Sequence, residues 1–185
     1  MLIREFCAEN FTDIPRAVAA GAERIELCDN LAVGGTTPSY GVIKETADYL
    51  KDTKTTFASM IRPRGGDFVY NSIELRIMES DILKAVDAGT SELVFGALTY
   101  DNSLDLEALE TLMIASQGLP VTFHMAFDEI PTDLQKSALD ELVTLGFDKI
   151  LMHGDSLDQP INTDKIAELV SYAAGRIQIL AGGGV

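Results

Sequence analysis

The chain has 185 residues, 46% of them hydrophobic, and a mean hydropathy of +0.13, which suits one folded domain with one substantial core. Its 14 basic and 29 acidic side chains leave a formal charge of -15, so most of the surface repels a polyanion and nucleic acid is not an expected partner. No apolar run reaches the roughly 18 residues that a membrane span needs, and Met1-Leu2-Ile3-Arg4-Glu5 lacks the layout of a signal peptide; a cytoplasmic, membrane-free protein is expected.

In chain order, the first apolar stretch, residues 2–7, closes with Glu5-Phe6-Cys7. The second, residues 24–28, follows Gly21 and closes with the like triplet Glu26-Leu27-Cys28. Thr37-Pro38 then predicts a helix start, with a cap and a proline at the first helical position. A third strand, residues 56–62, runs into Arg62-Pro63-Arg64-Gly65-Gly66. Pro63 fixes its own φ and biases Arg62 towards extended backbone, so the two guanidinium groups keep one strand-like relation. The glycines behind them permit a turn that a Cβ would hinder. Asn71-x-x-Glu74 has the form of a capping box, and Gly89 precedes a strand at 92–97. Leu106, Leu109, Leu112 and Met113 mark a helical face, and Gly118 precedes a strand at 121–125. Thr132-x-x-Gln135 resembles a second capping box, and Gly146 precedes a strand at 149–152. Ile166, Leu169, Val170 and Ala173 mark another helical face, before Gly175 and a strand at 177–181.

Gly89, Gly118, Gly146 and Gly175 recur at intervals of 29, 28 and 29 residues, the beat of a repeating strand–helix unit. Strands with little strict alternation, separated by helices, predict a parallel sheet covered by helices. Seven such units, with no G-x-G-x-x-G after the first strand, favour a TIM-type (β/α) barrel over a doubly wound sheet. Residues 1–185 read as a single domain. Val185 follows the seventh strand closely, so an eighth unit is missing from this reading. The open edge is expected to be completed in a longer protein or paired with another chain.

Barrel sites sit at the C-terminal ends of the strands, which here carry Glu5, Cys7, Glu26, Cys28, Arg62, Arg64, His124, Asp128, His153 and Gly182 to Gly184. The period of two puts glutamate and cysteine of each triplet on one side of the sheet. With strands about 4.8 Å apart, the thiols of Cys7 and Cys28 can share a soft ion such as Cu(I), or else pack as small hydrophobes. Two cysteines in a cytosolic chain are expected to stay reduced. Glu26, His124 and Asp128 are the candidate catalytic groups for proton transfer, and Arg62 and Arg64 the candidate clamp for a small anionic metabolite. The competing reading is a buried ion-pair network in which the arginines neutralise Glu5 and Glu26. His153 reads as a polar strand-end residue, or else a third soft ligand, and Asp67 and Asp101 as cap or turn residues. Ala181-Gly182-Gly183-Gly184 occupies the place where such barrels often bind phosphate.

Together, Glu26-Leu27-Cys28, Gly34-Gly35-Thr36-Thr37-Pro38-Ser39, Ile61-Arg62-Pro63-Arg64-Gly65-Gly66-Asp67-Phe68 and Val121-Thr122-Phe123-His124 resemble the CutC family of copper homeostasis proteins. The resemblance runs over essentially the whole chain. It implies a TIM-type barrel, a cytoplasmic location, a homo-oligomer and a link to Cu(I), with Cys7 and Cys28 as the matching cysteines. Three departures stand out. Met125 replaces an arginine usual after the strand-five histidine, Met152-His153-Gly154 replaces a T-S-G run, and family members continue past the strand-seven glycines.

Overall fold

The computed structural model describes residues 3–183. Leu2, at the start of the expected first strand, and Gly184 and Val185 at the other end lie outside the described residues. Seven strands appear where the apolar runs predict them: β1 (Glu5–Glu9), β2 (Arg24–Cys28), β3 (Thr56–Met60), β4 (Glu92–Phe95), β5 (Val121–Phe123), β6 (Lys149–Met152) and β7 (Gln178–Ala181). Each pairs in parallel with the next, in the order β1 to β7. The intervening helices are α1 (Ile14–Ala19), α2 (Tyr40–Leu50), α3 (Ser72–Ala88), α4 (Leu106–Ala115), α5 (Gln135–Leu145) and α6 (Thr163–Ala173). This succession of parallel βα units is that of a TIM-type barrel. Among the described residues β1 and β7 are not paired with each other, so the sheet curls without closing.

Several strand limits differ from the sequence reading, which expected 56–62, 92–97 and 177–181 where β3 ends at Met60, β4 ends at Phe95 and β7 begins at Gln178. β1 continues to Glu9, because its whole length from Glu5 pairs with Arg24–Cys28. β5 stops at Phe123, because the His124 ring turns back to accept from the Ala126 amide and caps a short 3-10 helix, Met125–Glu129. The helix starts also sort themselves. Asn71 makes the full capping box with Glu74. Ser39, not Thr37, caps α2, since Thr37 spends its amide and hydroxyl on the Arg62 carbonyl. Thr132 caps nothing, and Gln135 instead donates to the carbonyls of Phe127 and Ile130.

The parallel pleat separates two interiors. Outward-facing Ile25, Leu27, Phe57, Leu93, Phe95, Val121, Phe123 and Ile150 pack against Ile43, Met78, Ile82, Leu109, Leu139 and Leu169 of the helices, forming the main core. Burying each such side chain contributes about 1.5–3 kcal/mol. On the concave face a smaller cluster holds Cys28, Ala58, Met60 and Val94. Below it, at the strand starts, charges close the floor. Arg24 pairs with Glu5 and Glu92 and donates to Thr122. Lys149 reaches Glu92 at 2.8 Å, and Thr56 donates to the same carboxylate. Burial opposes its ionisation, yet Arg24 and Lys149 hold the Glu92 carboxyl below the usual range. This network draws residues from β1 to β6 to one point and so fixes the curl of the sheet. The mouth above it carries the candidate site.

Candidate functional site

Cys7 and Cys28 both face the concave interior, with their sulfurs 4.0 Å apart. The two triplets are not level but staggered by two residues. Cys7 is opposite Glu26, and Cys28 is opposite Glu9. The stagger sends Glu5 down to Arg24 and sets Glu26 beside the two thiols. One ligand atom from each of Cys7, Glu26 and Cys28 lies within 4.8 Å of the others. Cys7 is exposed and Cys28 is buried, and both are free. Glu26 is buried as well, and its Oε1 has no hydrogen-bond partner. Burial holds the Glu26 carboxyl above its ordinary range, while a bond to Cys7 and the charge of Arg24 pull the other way. The Cys28 thiol is pushed up by its bond to Cys7, by burial and by the charge of Glu26, with Arg62 opposing. Cys28 therefore rests as a thiol.

The arginines do not meet Glu26, His124 or Asp128, as the clamp reading expected. Arg62 turns its guanidinium to the carbonyls of Val33, Gly35 and Gly66 at 2.9, 3.1 and 2.6 Å, with the Phe68 ring 4.7 Å away. Arg64 points to the rim, where Glu74 lies at 2.6 Å and Asp67 at 3.0 Å, and its remaining N–H groups go to nearby carbonyls. The physical reason is the turn itself. Gly66, at φ +85, folds the loop back so that its own carbonyls and Asp67 sit nearer to the guanidinium groups than the barrel axis does. Asp67 is the expected turn residue and accepts from the Val69 amide.

His124 and Asp128 are likewise committed. The His124 ring is buried against Phe68 and Phe123, and Gly96 makes its place, since a Cβ there would come within 2.7 Å of Cε1. Burial, with the Arg62 charge adding to it, pushes the His124 pKa down to about 3, so the ring is neutral near pH 7. Asp128 accepts from the amides of His153 and Gly154 at 2.7 and 2.8 Å, fastening the 3-10 helix to the end of β6. Burial raises its pKa and these two bonds oppose the rise. His153 bridges the carbonyls of Gly182 and Gln159, in keeping with its reading as a strand-end residue. Of the expected site, the structure brings together Cys7, Glu26 and Cys28 and gives the rest separate partners.

Sequence reasoning missed Arg24, Glu92 and Lys149 of the floor. Their signal was a charged residue at the first position of a strand, where the inward parity of the same strand's later residues already pointed to the interior.

The CutC family model matches residues 2–185. The chain belongs to the CutC family. A CutC family protein of Streptococcus pyogenes serotype M6 is 59% identical over 186 residues, spanning 100% of this chain and 89% of that protein. The human copper homeostasis protein cutC homolog is 40% identical over 183 residues, 99% of this chain and 65% of that protein. The crystal structure of CutC from Streptococcus agalactiae superposes with a TM-score of 0.97 at 59% identity, over 100% of this chain and 89% of that one. Beyond the CutC family, deoxyribose phosphate aldolase from Aeropyrum pernix shares the fold, with a TM-score of 0.71 at 12% identity over 99% of this chain and 76% of that one. Met125 opens the 3-10 helix that His124 caps, and His153 ties β6 to Gly182.

Proposed function

We propose that this protein binds Cu(I) through the thiolates of Cys7 and Cys28, with Glu26 beside them, and thereby buffers or hands on copper in the cytosol. The observation that carries the reading is the pair of free thiols 4.0 Å apart on neighbouring strands, with a buried carboxylate beside them whose Oε1 has no hydrogen-bond partner. Thiolate is the donor that selects Cu(I) among biological metals. A core cysteine packed only as a small hydrophobe needs neither a second thiol at this distance nor a carboxylate within 4.8 Å. Membership of the CutC family, and the copper homeostasis name of its human member, support the same reading. Ligands bind metal in their deprotonated form, so capture of the ion releases the thiol protons. The exposed Cys7 offers the first contact and the buried Cys28 completes the pair.

The test is an anaerobic Cu(I) titration of the reduced protein against a chromophoric Cu(I) chelator, run beside the double variant Cys7→Ser, Cys28→Ser. The wild type should take the ion from the chelator, and the double variant should not while still melting cooperatively. Equal binding by both proteins, or none by the wild type, would end the proposal.

A further inference from the structure

The two buried arginines of the interior differ in one respect. Arg24 lies between Glu5 and Glu92, and Glu92 also takes Lys149, so the floor sets two cations against two carboxylates. Arg62, 4% exposed, has only neutral partners: three carbonyls and the face of Phe68. Its Nε is buried without a partner. A buried cation whose hydrogen-bond partners are all neutral is costly, Asp67 acts on it only through the field from the exposed rim, and a guanidinium does not escape that cost by losing its proton.

The buried thiol lies close by. Gly35 touches both groups. Its carbonyl accepts from Arg62 Nη1 at 3.1 Å, and a Cβ added to it would stand 3.2 Å from Cys28 Sγ. Glu26 is less well placed to neutralise Arg62. It is level with Ala58, four residues before Arg62, while Cys28 lies two residues further towards the mouth. Around the sulfur the neighbours are Ala58, Met60 and Val94, an apolar setting in which net charge is expensive. Cu(I) bound to two thiolates releases two protons and leaves a complex of charge -1.

We infer that Arg62 is the built-in counter-charge of this two-thiolate complex, and that it favours a monovalent soft ion over a divalent one at Cys7 and Cys28. The inference rests on the copper reading above. A divalent ion on the same ligands leaves the site one unit more positive, whatever Glu26 contributes, and so gains less from a fixed cation. Arg62 therefore acts as a specificity-determining residue without touching the ion.

The experiment measures Cu(I) and Zn(II) affinities of the reduced protein for wild type, Arg62→Gln and Arg62→Lys, with a thermal melt of each ion-free protein. Loss of the charge should weaken Cu(I) binding by about tenfold or more, weaken Zn(II) binding distinctly less, and be largely rescued by lysine. If the glutamine variant weakens both ions equally, Arg62 is only a latch for the loops over Cys28 and the inference falls. Should the glutamine variant fail to fold, the lysine variant decides. A Cu(I)-to-Zn(II) ratio near that of wild type supports the inference, and a collapsed ratio overturns it. Absence of Cu(I) binding in the wild type would instead defeat the underlying copper reading.

Discussion

The floor and the mouth of the barrel are built from similar residues to opposite ends. At the floor, Arg24, Lys149, Glu5 and Glu92 satisfy one another, and nothing is left over for a ligand. At the mouth, Arg62 Nε, Glu26 Oε1 and His124 Nε2 are buried without partners, and two thiols face each other. Closed charge networks hold structure together. Unmatched groups, each costing about 1–3 kcal/mol when buried, leave the mouth with bonding capacity that the floor lacks. The difference separates the part of the interior that fixes the curl from the part that can bind.

The strongest way to break this comparison is at the floor. Arg24→Met leaves Glu5 and Glu92 without their shared cation and should cost about 3–5 kcal/mol in urea unfolding; a loss below 1 kcal/mol would show that the floor does not hold the sheet. A mouth residue gives the next effect, through pH. Unfolded histidine titrates near 6.5, whereas His124 titrates at about 3 in the folded protein. Between these values the unfolded chain binds more protons, so the stability tied to a neutral His124 is present above pH 6.5 and is lost as the pH falls towards 3. Relative to His124→Gln, the wild type should lose on the order of 3 kcal/mol between pH 7 and pH 4. A parallel pH profile for the two proteins would place His124 in contact with water. Smallest is the rim. Arg64 is partly exposed and pairs with Glu74 and Asp67, so Arg64→Ala should cost about 1 kcal/mol or less and leave Cu(I) binding untouched. A Cu(I) defect in that variant would extend the binding region beyond the cysteine pair.

Much of the fold was legible because it depends on local patterns. The seven apolar runs, the glycine beat and the Asn71 capping box all appear where the sequence puts them. The stagger of β1 against β2 was not legible. Register between parallel strands is set by how the crossover helix packs and by the Arg24 network, neither of which is written in the two triplets. The same holds for the arginines. That Arg62 and Arg64 leave a strand end was plain, but their partners depend on the left-handed turn at Gly66 and on Glu74 ten residues away. Thr132 shows the limit of a short motif. The capping pattern was present, yet Gln135 found better acceptors in two buried carbonyls.

The most direct test of the copper reading is the copper-edge X-ray absorption spectrum of the reduced protein loaded anaerobically with Cu(I). Sulfur neighbours that are halved in Cys7→Ser or Cys28→Ser and lost in the double variant are expected. A spectrum dominated by nitrogen or oxygen, or one indifferent to both cysteines, would contradict it.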